Sequence, residues 1–318
     1  MIRATVLVFM LTTTTVSAEQ FKLPWKGDYP HNSSKAWSRD NPNDSGFSKN
    51  FLNGTLEEGG KVERMGELWA ETMLPEKATG PIPFVIVMHG CTGMTSLTSA
   101  WVHRMGRVFN ADGIGVLILD SFTTRKVDKS CGMPDLHWGR RRADDAYSAL
   151  DYLIEKKLAK ADEVYVMGQS GGGTATLIAM TKAQTDHKYR FAAGFPVVPP
   201  CVYPSVRNAD FYGALVLFVG EKDDANDPKQ CVELAKRKRN VPVQVIVYAN
   251  ADHGFMEDYK ERVAKGWTDA HGKDHYWHLS YNPLADKDMM RSIISRIKTR
   301  KFVGGVEFRP TDAAEHRK

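Results

Sequence analysis

The run Gly168-Gln169-Ser170-Gly171-Gly172-Gly173 places a serine between small residues two positions away on either side. A serine hydroxyl so presented can attack a carbonyl carbon. The run directly follows the apolar stretch 164–167 and precedes the apolar helical stretch 174–180. That is the strand-turn-helix setting in which a serine takes a strained backbone and projects its hydroxyl above a sheet. Side chains at 168 or 172 would collide with the neighbouring strand or helix. A helix starting at Gly171 also points the positive end of its dipole at the reacting oxygen.

A serine hydroxyl is a weak nucleophile, so it needs a base, and the base needs an acid to orient it. On a sheet of this kind the chain order is serine, acid, histidine. Two candidate segments follow the serine in that order: Gly220-Glu221-Lys222-Asp223-Asp224 after the apolar run 215–219, and Ala251-Asp252-His253-Gly254-Phe255 after the run 243–248. Of ten histidines, His253 has the position expected of the base. Asp223 stands first after its strand end and is chosen as the acid over Asp224 and Asp227, while Asp252 is assigned to its own turn. Acyl transfer also needs preorganised donors for the developing oxyanion. The backbone N–H groups of Gly171 and of Cys91, in His89-Gly90-Cys91-Thr92-Gly93 after the run 84–88, are the candidates. His89 is read as structural, with its ring bonded to nearby backbone.

These residues need a scaffold, and the apolar pattern supplies one. The runs 84–88, 115–119, 164–167, 215–219 and 243–248, with 191–193 weaker, lack polar alternation, as strands buried on both faces do. Helical stretches are expected near 101–110, 143–157, 172–183, 229–239 and 284–299. Strand and helix alternate, which predicts an α/β fold with a mainly parallel central sheet flanked by helices on both faces and ligands at the carboxyl ends of the strands.

The chain of 318 residues is 42% apolar and 25% charged, which excludes a disordered, collagenous or disulfide-miniprotein class. Its net charge of +5 is interspersed with acids, which argues against a nucleic-acid surface. Arg3, the apolar run 4–10 and Val16-Ser17-Ala18 read as a signal peptide over 1–18, cleaved after Ala18, giving a secreted or periplasmic protein. The run falls short of the ~20 residues of a spanning helix, so no stable membrane anchor is expected. Residues 19–60 are polar and read as an irregular arm carrying sequons at Asn32, Asn43 and Asn53; 61–303 form the catalytic domain and 304–318 a tail. In an oxidising compartment four cysteines can pair, and the preferred pairing joins loops at one sheet edge: Cys91 with Cys131, Cys201 with Cys231. His271, His275 and His278 would share one helical face, but Gly272 and its neighbours argue equally for a loop, and no metal ligands are assigned. Phe122, Trp138 and Phe255 are candidate pocket walls. The sequence leaves the oligomeric state open.

From about Met65 to Lys301 the chain resembles the dienelactone hydrolase branch of the α/β-hydrolase superfamily. The resemblance rests on Val87-Met88-His89-Gly90-Cys91-Thr92-Gly93, Asp120-Ser121-Phe122-Thr123, the helix at 142–153, the serine run, the Asp223 and His253 segments, and Tyr281-Asn282-Pro283-Leu284-Ala285 before a helix. It implies an α/β-hydrolase fold, Ser170 as nucleophile with Asp223 and His253, and hydrolysis of small-molecule esters or lactones without metal or organic cofactor. The name-giving enzymes carry a cysteine at the nucleophile position, so serine here points toward ordinary carboxylic esters. Two other readings remain: a peptidase of prolyl oligopeptidase type, against which no propeller-sized region precedes the catalytic part, and a non-catalytic hydrolase-like binding protein.

Overall fold

A computed structural model of the chain describes residues 17–30, 62–127, 129–131, 135–184, 186–268 and 273–311. The segment 1–16 of the expected signal peptide and the three sequons lie outside these residues. In chain order the strands are β1 (Ser17–Pro30), β2 (Val62–Leu74), β3 (Ile82–Met88), β4 (Gly115–Asp120), β5 (Ala159–Gln169), β6 (Ala193–Val197), β7 (Ala214–Gly220), β8 (Val243–Tyr248), β9 (Arg262–Thr268), β10 (Asp274–Leu279) and β11 (Gly305–Arg309). Among the described residues five helices of nine or more residues accompany them: α1 (Ser96–Ala111), α2 (Asp135–Glu155), α3 (Gly171–Ala179), α4 (Pro228–Lys236) and α5 (Pro283–Thr299).

One sheet runs in the order β1-β2-β4-β3-β5-β6-β7-β8-β11. It is parallel from β4 to β11, and β1 and β2 join antiparallel at one edge. Period-two alternation within apolar strands sorts side chains to two cores. Phe84, Ile86, Leu215, Leu217, Val243 and Val245 pack on one face with Tyr147 and Leu150 of α2, Leu177 of α3 and Leu234 of α4. Val85, Val87, Val216, Phe218 and Ile246 pack on the other with Trp101 and Met105 of α1 and Met289 and Ile293 of α5. The α/β architecture expected from the apolar runs, an α/β-hydrolase sheet covered on both faces, is the one present.

Local signals explain the helix starts. Thr95 caps α1 by accepting from the Thr98 N–H at 3.1 Å. Asp227 and Asn282 cap α4 and α5, each followed by proline at the first helical position, where the missing N–H costs nothing.

Four expectations are corrected. Residues 19–30, expected as part of an irregular arm, form a strand on β2: Phe21, Leu23 and Trp25 turn to the core while Lys22 and Pro24 face out. Gly305–Arg309, expected as tail, is β11, an edge strand whose ladder to β8 substitutes for burial, since Phe308 is largely exposed. The weak run 191–193 gives way to β6 over Ala193–Val197, where Gly194 and Pro196 had broken the apolar pattern. His275 and His278 lie on β10, paired antiparallel with β9 in a separate hairpin, so no shared helical face exists; His271 lies outside the described residues.

Both expected disulfides are present, Cys91–Cys131 with Cα atoms 5.0 Å apart and Cys201–Cys231 with 5.1 Å. They fit an oxidising compartment. Among the described residues no helix is long and apolar enough to cross a membrane. Cys201 and Cys231 are 30 residues apart, and closing such a loop restricts the unfolded chain by about 3–4 kcal/mol. Replacing both by alanine is therefore expected to lower the free energy of unfolding by about 2–5 kcal/mol; an unshifted guanidinium midpoint would count against this anchor.

Candidate active site

At the carboxyl end of β5 the chain turns into α3 within one residue. Ser170 makes the turn with φ 51° and ψ −116°, a left-handed backbone costly for a residue with a side chain, of order 1–3 kcal/mol. The turn closes only because its flanks are bare. A Cβ on Gly168 would lie 2.1 Å from the Gly172 carbonyl oxygen, and one on Gly172 would lie 2.5 Å from that of His89. Ser170 N–H donates to Val197 at 2.8 Å, and its carbonyl accepts from Thr174 at 3.0 Å. The hydroxyl is thus held at the amino end of α3.

Loops after β7 and β8 bring the partners. Gly220 permits their contact, since a Cβ there would meet the Ala251 carbonyl oxygen at 2.4 Å, and Lys222 N–H donates to that same oxygen at 2.8 Å. His253 Nε2 lies 3.1 Å from Ser170 Oγ, and His253 Nδ1 lies 2.9 and 3.1 Å from the two Asp223 oxygens. With Nδ1–H donating to Asp223, Nε2 is left to accept from the serine hydroxyl. Asp223 Oδ1 also accepts from the N–H groups of Ala225 and Asn226 at 3.0 and 2.8 Å. Asp223 and His253 are each only 5% exposed.

The competing acids are occupied elsewhere. Asp224 accepts from the His278 N–H at 3.0 Å and ring Nδ1 at 2.5 Å, and Asp227 caps α4. Asp252 holds its own turn through Gly254 N–H at 2.9 Å and takes the Ser280 hydroxyl at 2.5 Å.

The two buried imidazoles shift in opposite directions. Burial opposes protonation of His253, but the Asp223 charge and hydrogen bond, with Glu257 and Asp252 behind them, outweigh it and raise the pKa above its ordinary value. Burial and then the Arg142 guanidinium push His89 down to about 3, against the pull of Gly90 and Asp120. His89 is therefore neutral: Nδ1–H donates to the Gly90 carbonyl at 2.7 Å and Nε2 accepts from Ser121 N–H at 3.3 Å. Its 3.8 Å approach to Asp120 is no ion pair.

The loop after β3 closes the site from the other side. A Cβ on Gly171 would lie 3.5 Å from the Cys91 amide nitrogen, so the residues carrying the two expected oxyanion donors are neighbours. The Cys91–Cys131 disulfide, the Ser130 N–H bond to the Cys91 carbonyl at 2.8 Å and the Arg142 bond to the His89 carbonyl pin that loop.

Ser170, His253, Cys91, Gln169, Tyr259 and Trp277 line a cavity of about 180 Å³. The expected pocket walls differ. Phe122 is buried against the His89 ring, Phe255 is buried against Tyr248, and the Trp138 side chain lies outside the described residues. Apolarity near the loops had pointed to residues that the core absorbs, whereas Tyr259 and Trp277 come from segments whose polar neighbours masked them. A more open hollow of about 380 Å³, lined by Asn240, Pro242 and Gly304, lies at the amino end of β8, away from these residues. Among the described residues no group of three or more His, Cys, Asp or Glu could hold a metal ion.

Several solved structures share the fold. A dienelactone hydrolase described as putative, from Klebsiella pneumoniae, is 16% identical, with 73% of this chain and 93% of that one covered at a TM-score of 0.54. Est1E of Butyrivibrio proteoclasticus, solved with ferulic acid bound, is 15% identical, covering 73% and 96% at 0.51. A puromycin-hydrolysing peptidase of Mycobacterium tuberculosis is 17% identical, covering 77% of this chain but 39% of its own, at 0.52. At such identities the likeness speaks for fold alone. No curated protein matches the sequence. The dienelactone hydrolase family model, however, matches residues 69–300 of the 318, and on that span the chain belongs to the dienelactone hydrolase family.

Proposed function

We infer that this member of a hydrolase family is an exported serine hydrolase that cleaves carboxylic esters or lactones through an acyl-enzyme. The observation that carries the reading is the hydrogen-bonded series Ser170 Oγ, His253 Nε2, His253 Nδ1 and Asp223, with separations of 3.1 and 2.9 Å. His253 takes the Ser170 proton as Oγ bonds to the ester carbonyl carbon. The carbonyl oxygen becomes an oxyanion facing the N–H groups of Gly171 and Cys91, at the amino end of α3. Asp223 holds the imidazole tautomer and stabilises the imidazolium, which returns its proton to the departing alkoxide. Water, deprotonated by His253, then attacks the acyl carbon and releases the acid and Ser170. The two disulfides support an oxidising compartment for this chemistry.

Short p-nitrophenyl esters test the reading. Wild-type protein should hydrolyse them with or without a chelator, and Ser170→Ala should lower turnover by a factor on the order of 10⁴ while remaining folded. Undiminished turnover in that variant contradicts the mechanism. Amide substrates separate the peptidase reading, which requires Ser170-dependent cleavage of peptide bonds.

The raised His253 pKa fixes the pH dependence. The base works neutral, so kcat/KM should fall as pH drops through a midpoint above the ordinary imidazole value of about 6.5. Asp223→Asn removes the strongest influence opposing burial. It should move that midpoint to lower pH and reduce kcat by roughly 10⁴. An unmoved acidic limb would remove His253 as the titrating base.

A further inference from the structure

One wall of the cavity around Ser170 is foreign to the nine-stranded sheet. It comes from the hairpin of β9 and β10, whose Trp277 lies with its ring centre 5.7 Å from that of His253, the planes inclined by 49°. The indole lies against the facing strand because Gly266 has no side chain: a Cβ there would fall 2.3 Å from indole Cε2. The hairpin is fastened beside the site by Asp224, which accepts from the His278 backbone N–H at 3.0 and 3.2 Å and from its Nδ1 at 2.5 Å. Asp224 directly follows Asp223, so adjacent residues of one turn hold the imidazole and the hairpin that carries the indole.

We propose that Trp277 is a specificity-determining residue, selecting esters that carry a flat aromatic group beside the scissile bond, with Asp224 and His278 as the residues that position it. This rests on the hydrolase reading above. A cavity of about 180 Å³ lies below the ~300–1,000 Å³ usual for ligand sites, so it admits a small substrate. Inside it, a half-buried indole favours a planar ring in offset or edge contact over an aliphatic ring of similar carbon count, whose puckered shape is thicker. Tyr259, the other aromatic wall, has its hydroxyl engaged by Glu257 and Arg262. The Arg262 guanidinium carbon also lies 4.8 Å from the centre of the Tyr259 ring, so a cation already covers that ring and the indole is the aromatic wall offered to an apolar ring.

Two matched pairs of esters test this: ethyl phenylacetate against ethyl cyclohexylacetate for the acyl side, and benzyl acetate against cyclohexylmethyl acetate for the alcohol side. Each kcat/KM ratio is corrected by the pair's rates with hydroxide. Wild type should prefer the phenyl member of at least one pair by roughly five- to tenfold. Trp277→Leu, still apolar but not aromatic, should bring that ratio near one. Asp224→Ala should lower it as well, chiefly through a raised KM for the phenyl ester, which a general loss of folded protein would not produce. Ratios near one in both wild-type pairs, with all four esters cleaved in a Ser170-dependent way, overturn the proposal and leave the hydrolase reading standing. An undiminished preference in Trp277→Leu overturns it equally, and one in Asp224→Ala overturns the positioning role. No Ser170-dependent cleavage of any of the four overturns this proposal, and the p-nitrophenyl esters then decide the hydrolase reading separately. If Trp277→Leu fails to fold, the wild-type ratios together with their fall in Asp224→Ala decide.

Discussion

Between Gly168 and Gly172 the end of β5 and the first turn of α3 approach so closely that a single methyl group would sit 2.1 Å from a carbonyl oxygen. That steric constraint is what lets Ser170 occupy its left-handed backbone, and the rest of the site is arranged around the position it sets. The strain is held by bonds on both sides, to Val197 of β6 and to Thr174 of α3. Because β5 lies centrally in the parallel sheet, the hydroxyl emerges where the loops after β3, β7 and β8 also end. The site is therefore a consequence of strand order as much as of any one motif.

Charge then separates two imidazoles that differ little in burial. His253 is surrounded by carboxylates, Asp223 foremost, and binds a proton more readily than a free imidazole. His89 is equally enclosed but faces the Arg142 guanidinium, and its pKa falls to about 3. One ring is thereby suited to accepting and returning a proton, and the other remains a neutral bracket between Gly90 and Ser121. Arg142 links the two sides, since it also bonds the His89 carbonyl from beneath the loop that presents Cys91.

Much of this was legible in the sequence. The central strands announce themselves because burial on both faces demands unbroken apolar runs. Ser170, Asp223 and His253 each stand just past the carboxyl end of such a run, and the structure brings the three together. The cysteine pairs were legible from loop placement. What escaped notice lacks that redundancy. β1 alternates apolar with charged residues and proline, β6 contains Gly194 and Pro196, and β11 is short and exposed, so hydrogen-bond ladders set them more than composition does. The β9–β10 hairpin was hidden by the histidine spacing, which fits a helix on paper. Its actual form follows from pairing across a turn and from the room at Gly266, neither of which shows in local pattern. Phe122 and Phe255 go into the core for the same reason: which aromatic faces the cavity depends on tertiary contact.

The account stands or falls on whether Ser170 is an activated nucleophile, and labelling with diisopropyl fluorophosphate followed by peptide mapping addresses that directly. The reagent should add one phosphoryl group to folded wild-type protein, on Ser170, and the adduct should be lost in His253→Ala. A label on another residue, or none on protein shown to be folded, would contradict it.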